Sequence, residues 1–374
     1  MLSISQRKPP LAGMFGRVLA VAIGMTIAGQ AVAKDLTYAS YLSPSHLMNK
    51  NVLPVFFDRL REASGGEVNF KLVAGAQLFD NKTSISATGE GLAEATAGLS
   101  AYVPNQLPHF NMMFEMAGYV GNPKAGAGAA LQTTLLECDG CTEDFKKQGV
   151  TILGSYATSS AALFCTSDLS SAEDVKGLKI RVSGSSGRMV KVMGGTPVRM
   201  APTDLVTSME RGNIDCILGP LSWMSSYNLY EMVKTIVLYP FGSFPNAISL
   251  AFNTDTYEGL SDENRQAILK TLPSLTADLV IGVYENGHDA ALVKAKESGI
   301  KILEGGADFD ALVAQYRSGD EAVIAANAAK FGVENPQAVI DTFKANVARW
   351  DELVKGVDQA QFEQLLWDEI YSKL

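Results

Sequence analysis

The chain is poor in the residues from which most active sites are built. It has only three histidines, His46, His109 and His288. They stand far apart, with no H-x-x-E-H or H-x-H pattern and no acid at ligand spacing, so no transition-metal centre is expected. No G-x-S-x-G elbow is present for a hydrolase, no P-loop, and no G-x-G-x-x-G after a strand for a dinucleotide. Nowhere does a nucleophile or general base sit with partners in a recognisable pattern. Positive charge is also short: 31 Lys and Arg stand against 40 Asp and Glu, a formal net charge of −9. An acidic chain is a poor partner for nucleic acid or an anionic membrane. These absences set catalysis, cofactor use and nucleic-acid binding aside. Binding of a small molecule is the expected class of function, and one local cation in a cleft can still attract an anion.

Long apolar runs are scarce too. The one near the N-terminus, "VLAVAIGMTIAG" from Val18 to Gly29, is shorter than the ~20 residues a membrane span needs. Arg7, Lys8 and Arg17 precede it without any acid, and "AVA" follows at residues 31–33. This pattern predicts a secretory signal peptide over residues 1–33, cleaved after Ala33, and a periplasmic protein beginning at Lys34. A membrane anchor is the alternative. Cleavage removes three cations and takes the formal charge from −9 to −12.

Cysteine is limited to Cys138, Cys141, Cys165 and Cys216. "CDGC" has the C-x-x-C spacing of a disulfide, a redox dithiol or half a zinc site. It falls late in a stretch read as helical and broken by Gly140, so a structural Cys138–Cys141 disulfide is expected. Free thiols, or a periplasmic thiol-disulfide oxidoreductase using this pair, are the alternatives. Cys165 and Cys216 each fall in a predicted strand, as small core residues; a bridge between them stays open.

What is there, in 374 residues that are 47% apolar, is material for two α/β domains. "DLTYASYL", a helix over 51–66 and "EVNFKLVAG" make a β-α-β unit, which implies parallel strands. "LAEATAGLSAY", "FNMMFEMAGYV", "VTILGSYA" and "AALFCTS" add strand candidates. From Thr196, strand, helix and strand repeat through "NIDCILG", and "NAISLAFNTD" can return the chain to the first lobe. From Ser261 the pattern is mostly helical, with Ser261 as N-cap and Pro273 expected to bend or divide the segment. Ile340, Phe343, Val347, Trp350 and Val354 form a core-facing stripe.

One stretch stands apart. In "DVKGLKIRVSG", residues 174–184, Leu178, Ile180 and Val182 alternate as the inward face of a strand. Arg181 sits near the end of that strand, before the Ser/Gly run "SGSSG". In open α/β sheets ligands bind beyond the carboxyl ends of strands, and an arginine fork suits a carboxylate. A surface arginine paired with Glu173 or Asp174 is the other reading.

Four segments resemble the extracytoplasmic solute-binding proteins of TRAP (tripartite ATP-independent periplasmic) transporters, the dicarboxylate-binding family. They are "SGGEVNFKLVAGAQL" (64–78), "SAEDVKGLKIRVSGS" (171–185), "GGTPVRMAPTDLVTSMERGNIDCILGP" (194–220) and "LAFNTDTYEGLSDENRQAI" (250–268). The resemblance implies an α/β, two-lobed periplasmic binding-protein fold with a cleft between lobes. Lobe I would take residues 34–157 and 246–300, lobe II 158–245, and residues 301–374 would be C-terminal helices packing across both. It implies that Arg181 points into the cleft and pairs with a small organic carboxylate, captured by domain closure for the permease subunits of a TRAP transporter. The binding protein of an ATP-driven importer is a rival with the same physics. Departures from the family pattern fall at Ala161 or a neighbour in "SSAALFC", where a second arginine is common, at Pro202 in place of an aromatic, and at Gly219 in place of an asparagine or acid. The expected ligand-binding set is Arg181, Trp223, Ser183, Gly219, Tyr41, Gln77, Tyr102 and Phe241, with backbone donors of "SGSS" assisting. Trp223, Tyr227, Tyr230, Tyr239, Phe241 and Phe244 supply aromatic faces. No metal or cofactor is expected.

Overall fold

The computed structural model describes residues 34–374; the expected signal peptide lies outside them. Eleven strands form two sheets among the described residues. β1 (Lys34–Ala39), β2 (Val68–Val73), β3 (Ala95–Gly98), β4 (Val150–Tyr156) and β10 (Ala247–Asn253) make one, in the order β2-β1-β3-β10-β4. β5 (Ala161–Cys165), β6 (Lys179–Val182), β7 (Thr196–Arg199), β8 (Cys216–Pro220), β9 (Thr235–Leu238) and β11 (Lys301–Glu304) make the other, in the order β11-β9-β5-β8-β6-β7. This is the two-lobed α/β architecture expected.

In each sheet one strand runs against the rest. β10 is antiparallel to β3 and β4, and β5 is antiparallel to β8 and β9. The other strands of each sheet run one way, so their carboxyl ends gather along one edge, where the reversed strand begins. The residues that follow those ends face each other across a cleft.

Three elements depart from the sequence reading. "FNMMFEMAGYV" is not a strand: Pro108–Glu115 is a helix with Pro108 at its first turn. Phe110, Met113, Phe114 and Ala117 are all buried, a helical spacing that the density of apolar residues around them obscured. Residues 301–374 are not helices alone, because Lys301–Glu304 is β11, paired in parallel with β9. Nor does Pro273 divide the C-terminal segment. One helix runs from Asp262 to Glu297 through Pro273, with a π-helical stretch at Asp278–Glu285.

The expected stripe from Ile340 to Val354 is buried throughout. Its centre, Trp350, donates Nε1–H to Gln132 Oε1 at 2.8 Å and lies flat on Gly128. A Cβ at that glycine would come within 2.2 Å of the indole. The helix Pro336–Leu353 is thereby held against the helix Pro123–Gln132, beside the first sheet.

Candidate ligand-binding site

Arg181 lies on β6, between β7 and β8 in the interior of the second sheet. Ile180 and Val182 point into the core of that lobe. Alternation therefore turns Arg181 to the opposite face, where it is buried to 1% exposure. Its Nη2 donates to the Tyr102 hydroxyl at 3.1 Å and to the Met200 carbonyl at 3.2 Å. The guanidinium carbon stands 4.9 Å from the centre of the Trp223 ring, a cation–π contact. Nε and Nη1 are buried without any partner, and among the described residues no carboxylate lies within ion-pairing distance. The alternative surface pairing does not occur. Glu173 pairs with Lys176 at 2.6 Å, and Asp174 caps its own turn with Ser171.

The cavity around Arg181 is lined from both lobes. Tyr41, His46 and Tyr156 come from the first, Ser183, Pro202 and Trp223 from the second, and Phe114, Phe244 and Tyr284 from the helices and crossings between them. Its volume is only about 30 Å³, far below that of a typical ligand pocket. Two stacked ring pairs wall it, Phe114 on Phe244 at 5.4 Å and Tyr156 on Tyr284 at 5.4 Å, and the lining Trp223 is met edge-on by Tyr227 at 5.8 Å. Burial raises the pKa of the Tyr41, Tyr156, Tyr227 and Tyr284 hydroxyls. They stay neutral and offer hydrogen bonds without charge. Trp223 Nε1 and the Tyr227 hydroxyl are buried with no partner.

His46 was read from the sequence only as an isolated histidine. Burial lowers its pKa to about 4, so at neutral pH the ring is uncharged. Its Nδ1 accepts from the Met48 N–H at 3.2 Å, which places the ring proton on Nε2. The sign of its linkage follows. A histidine depressed in the folded state contributes stability fully above its unfolded pKa near 6.5, and that stability is lost as pH falls toward 4. His46→Asn should therefore flatten the acid side of the stability curve. Between pH 7 and pH 5 wild type should lose about 2 kcal/mol more than the variant. Urea unfolding at the two pH values measures this, and parallel losses would refute the assignment.

The other expected site residues fare unevenly. Ser183 lines the cavity. Tyr41 lines it and also an outer chamber, where Tyr102 lies. Gly219 has a different part from the expected one: a Cβ there would approach the Trp223 ring to 2.9 Å, so the missing side chain makes the seat for the indole. Phe241 packs with Tyr239 and Phe309 in the second lobe's core, outside the cavity. Gln77 lines neither chamber. Tyr230 bonds Ser225 and lies under Lys294. Within "SGSS" the Ser186 N–H bonds back to the Ser183 carbonyl, and the next two N–H groups, of Gly187 and Arg188, bond back to Gly184 and Ser185. His46, Phe114, Tyr156 and Tyr284 were missed as site residues. They come from four separate elements, and no local pattern links them.

Both cysteine pairs are disulfides: Cys138–Cys141, as expected, and Cys165–Cys216. The C-x-x-C lies at the end of the helical run Pro123–Glu137, as expected, but Gly140 does not break it: Cys138 ends that run and caps the next helix, Asp139–Lys146, which contains Gly140. The second bridge joins directly paired residues of β5 and β8. Cys138 and Cys141 are buried and lie outside the cavity lining. The oxidoreductase reading is set aside on this ground and on the family match below.

Fold and site together define a class: a two-lobed binding protein whose interlobe cleft holds one buried, acid-free arginine in an aromatic box. The chain belongs to the bacterial extracellular solute-binding proteins, family 7 (DctP), whose family pattern matches residues 38–311. The motif resemblance is thereby borne out. Similarity to the ectoine-binding periplasmic protein TeaA of Halomonas elongata is 27% identity over 126 residues, 33% of this chain and 36% of that protein. The match thus spans about a third of that relative.

Structures of the same fold include TRAP solute-binding proteins. One from Rhodoferax ferrireducens, with copurified benzoate, has TM-score 0.74 and 20% identity, covering 86% of this chain and 99% of that one. Another from Bordetella bronchiseptica, with bound (R)- and (S)-mandelate, has TM-score 0.70 and 22% identity over 84% and 99%. A third, from an unidentified marine microbe, is specific for aromatic acids and was co-crystallised with 3-hydroxybenzoate. It has TM-score 0.75 and 20% identity over 85% and 99%.

Proposed function

We propose that this protein is the periplasmic receptor of a TRAP transporter for a compact monocarboxylate with a ring or other apolar body. One observation carries the reading: a guanidinium at 1% exposure, with Nε and Nη1 unpartnered and no acid beside it. A buried cation without a counter-ion is costly, and a ligand carboxylate removes that cost by accepting from both nitrogens. The remaining walls argue for one carboxylate rather than two. They are aromatic, aliphatic or, at Thr158 and Ser183, uncharged hydroxyl groups, and the one titratable histidine among them, His46, is neutral at physiological pH. Flat, uncharged ring faces favour an apolar body. The acids bound by the neighbours from Rhodoferax and Bordetella, benzoate and mandelate, have this shape.

In this reading the chain is exported by a signal peptide cleaved after Ala33, and it is a receptor rather than an enzyme. Lobe I comprises residues 34–157 and 246–300 and lobe II residues 158–245. They close on the acid and present it to the membrane permease subunits. A thermal-shift panel tests the ligand class. Benzoate, mandelate or pyroglutamate should stabilise the protein, by about 2.7 kcal/mol at a hundredfold excess over Kd. Benzamide, which lacks the charge, and succinate, which carries two, should not. Stabilisation by succinate alone would refute the monocarboxylate reading.

A further inference from the structure

Two chambers lie beside Arg181 and share Tyr41. The inner one is the aromatic cavity. The outer one is lined by Asp80, Asn81 and Lys82 from the first lobe and by Arg199, Met200 and Asp204 from the second. Tyr41 lines both chambers. Tyr102 lines the outer one, and its hydroxyl reaches through to the arginine of the inner one.

The bonding there is a closed triangle. Tyr102 follows β3 of the first sheet; Met200 follows β7 of the second. The Tyr102 hydroxyl donates to the Met200 carbonyl at 3.3 Å and accepts from Arg181 Nη2 at 3.1 Å. Nη2 also donates to the same carbonyl at 3.2 Å. Nη2 has two hydrogens and the phenol has one, so every donor in the triangle is used. The nitrogens left free, Nε and Nη1, are buried without partners, on an arginine that lines the inner cavity.

We propose that Tyr102 is a positioning residue and interlobe latch: it fixes Arg181 so that Nε and Nη1 meet the ligand carboxylate, and it ties closure of the lobes to that contact. The proposal rests on the reading of Arg181 as carboxylate anchor. A carboxylate on Nε and Nη1 immobilises the guanidinium, and the immobilised Nη2 holds the phenol that spans the cleft. When the acid is absent the unpaired arginine is free to leave, and the triangle opens with it. Tyr102 is then a sensor of the bound acid, and its bond to Met200 is the one that must break before the acid escapes into the outer chamber.

A second interlobe bond serves as the control. Ser45 Oγ donates to the Ser226 carbonyl at 2.9 Å, and neither residue contacts Arg181. The experiment is stopped-flow binding of benzoate, mandelate and pyroglutamate to wild type, Tyr102→Phe, Ser45→Ala and Arg181→Ala, with urea unfolding of each empty protein. Tyr102→Phe keeps the ring and deletes only the hydroxyl. It should raise the dissociation rate about ten- to a hundredfold, the loss expected for a hydrogen bond to a charged group. The association rate should change less than threefold, and the stability of the empty protein should not change. Ser45→Ala should raise dissociation by less than threefold. If Tyr102→Phe releases the acid at the wild-type rate while Arg181→Ala fails to bind, the latch is wrong and the carboxylate anchor stands. A variant altered only in association rate makes Tyr102 part of the entrance and refutes the latch. The same holds if Ser45→Ala matches Tyr102→Phe, or if the empty Tyr102→Phe protein loses stability in step with affinity. Wild type that binds none of the three acids overturns the anchor and the latch together.

Discussion

Arg181→Ala should bind carboxylates between ~30-fold and several thousandfold more weakly than wild type, and should still fold. The range follows from the roughly 2–5 kcal/mol lost when one partner of a buried charge pair is removed, at about 1.4 kcal/mol per factor of ten. The large loss is expected because no other cation lines the inner cavity. The preserved fold has its own argument. Arg181 forms no ion pair with another side chain among the described residues, and two of its nitrogens have no partner there. Its removal therefore takes away a desolvation cost. The empty variant should be at least as stable as wild type. Arg181→Lys should recover part of the affinity, because the ammonium keeps the charge and loses the two-pronged donor. Isothermal titration with benzoate, beside a urea curve, measures both halves. A folded Arg181→Ala protein that binds within threefold of wild type would remove Arg181 from the site.

The second large effect concerns stability rather than binding. The Cys165–Cys216 bridge closes a loop with a sequence separation of 51, whereas Cys138–Cys141 closes one of 3. By loop-closure entropy the long bridge contributes about 4 kcal/mol and the short one about half that. The long loop holds β6, β7 and Arg181, and its anchor Cys216 pairs with Ile180, the residue before Arg181. Cys165→Ala with Cys216→Ala should therefore lower the unfolding free energy by about 4 kcal/mol. Affinity should hold while the protein is folded, since neither sulfur lines the cavity. The pair Cys138→Ala with Cys141→Ala should cost less and also leave affinity intact. Equal losses from the two pairs would show that the loop-entropy argument does not govern these bridges. A loss of affinity in the folded C-x-x-C variant would reopen a functional role for that pair.

Local patterns in the sequence determined the architecture and the anchor. The β-α-β spacings, the stripe from Ile340 to Val354 and the capping serine at 261 report interactions between residues a few positions apart, which a linear reading captures. The position of Arg181 was legible for the same reason: alternation along one strand sets it opposite Ile180 and Val182, and the strand's carboxyl end marks the cleft. Where apolar residues crowd, as in "FNMMFEMAGYV", periodicity no longer separates helix from strand, and that segment was misread. The box around the anchor was beyond the sequence. His46, Phe114, Tyr156, Phe244 and Tyr284 gather only because two sheets bring their strand ends to one cleft. Gly219 showed only an absent side chain until the Trp223 ring was found resting on it. Phe241, as aromatic in sequence as Phe244 three residues later, fell on the core side instead. Tertiary structure alone decided which rings face the cavity and which face the core, because that choice depends on where distant backbone segments pass and on no neighbour in the chain.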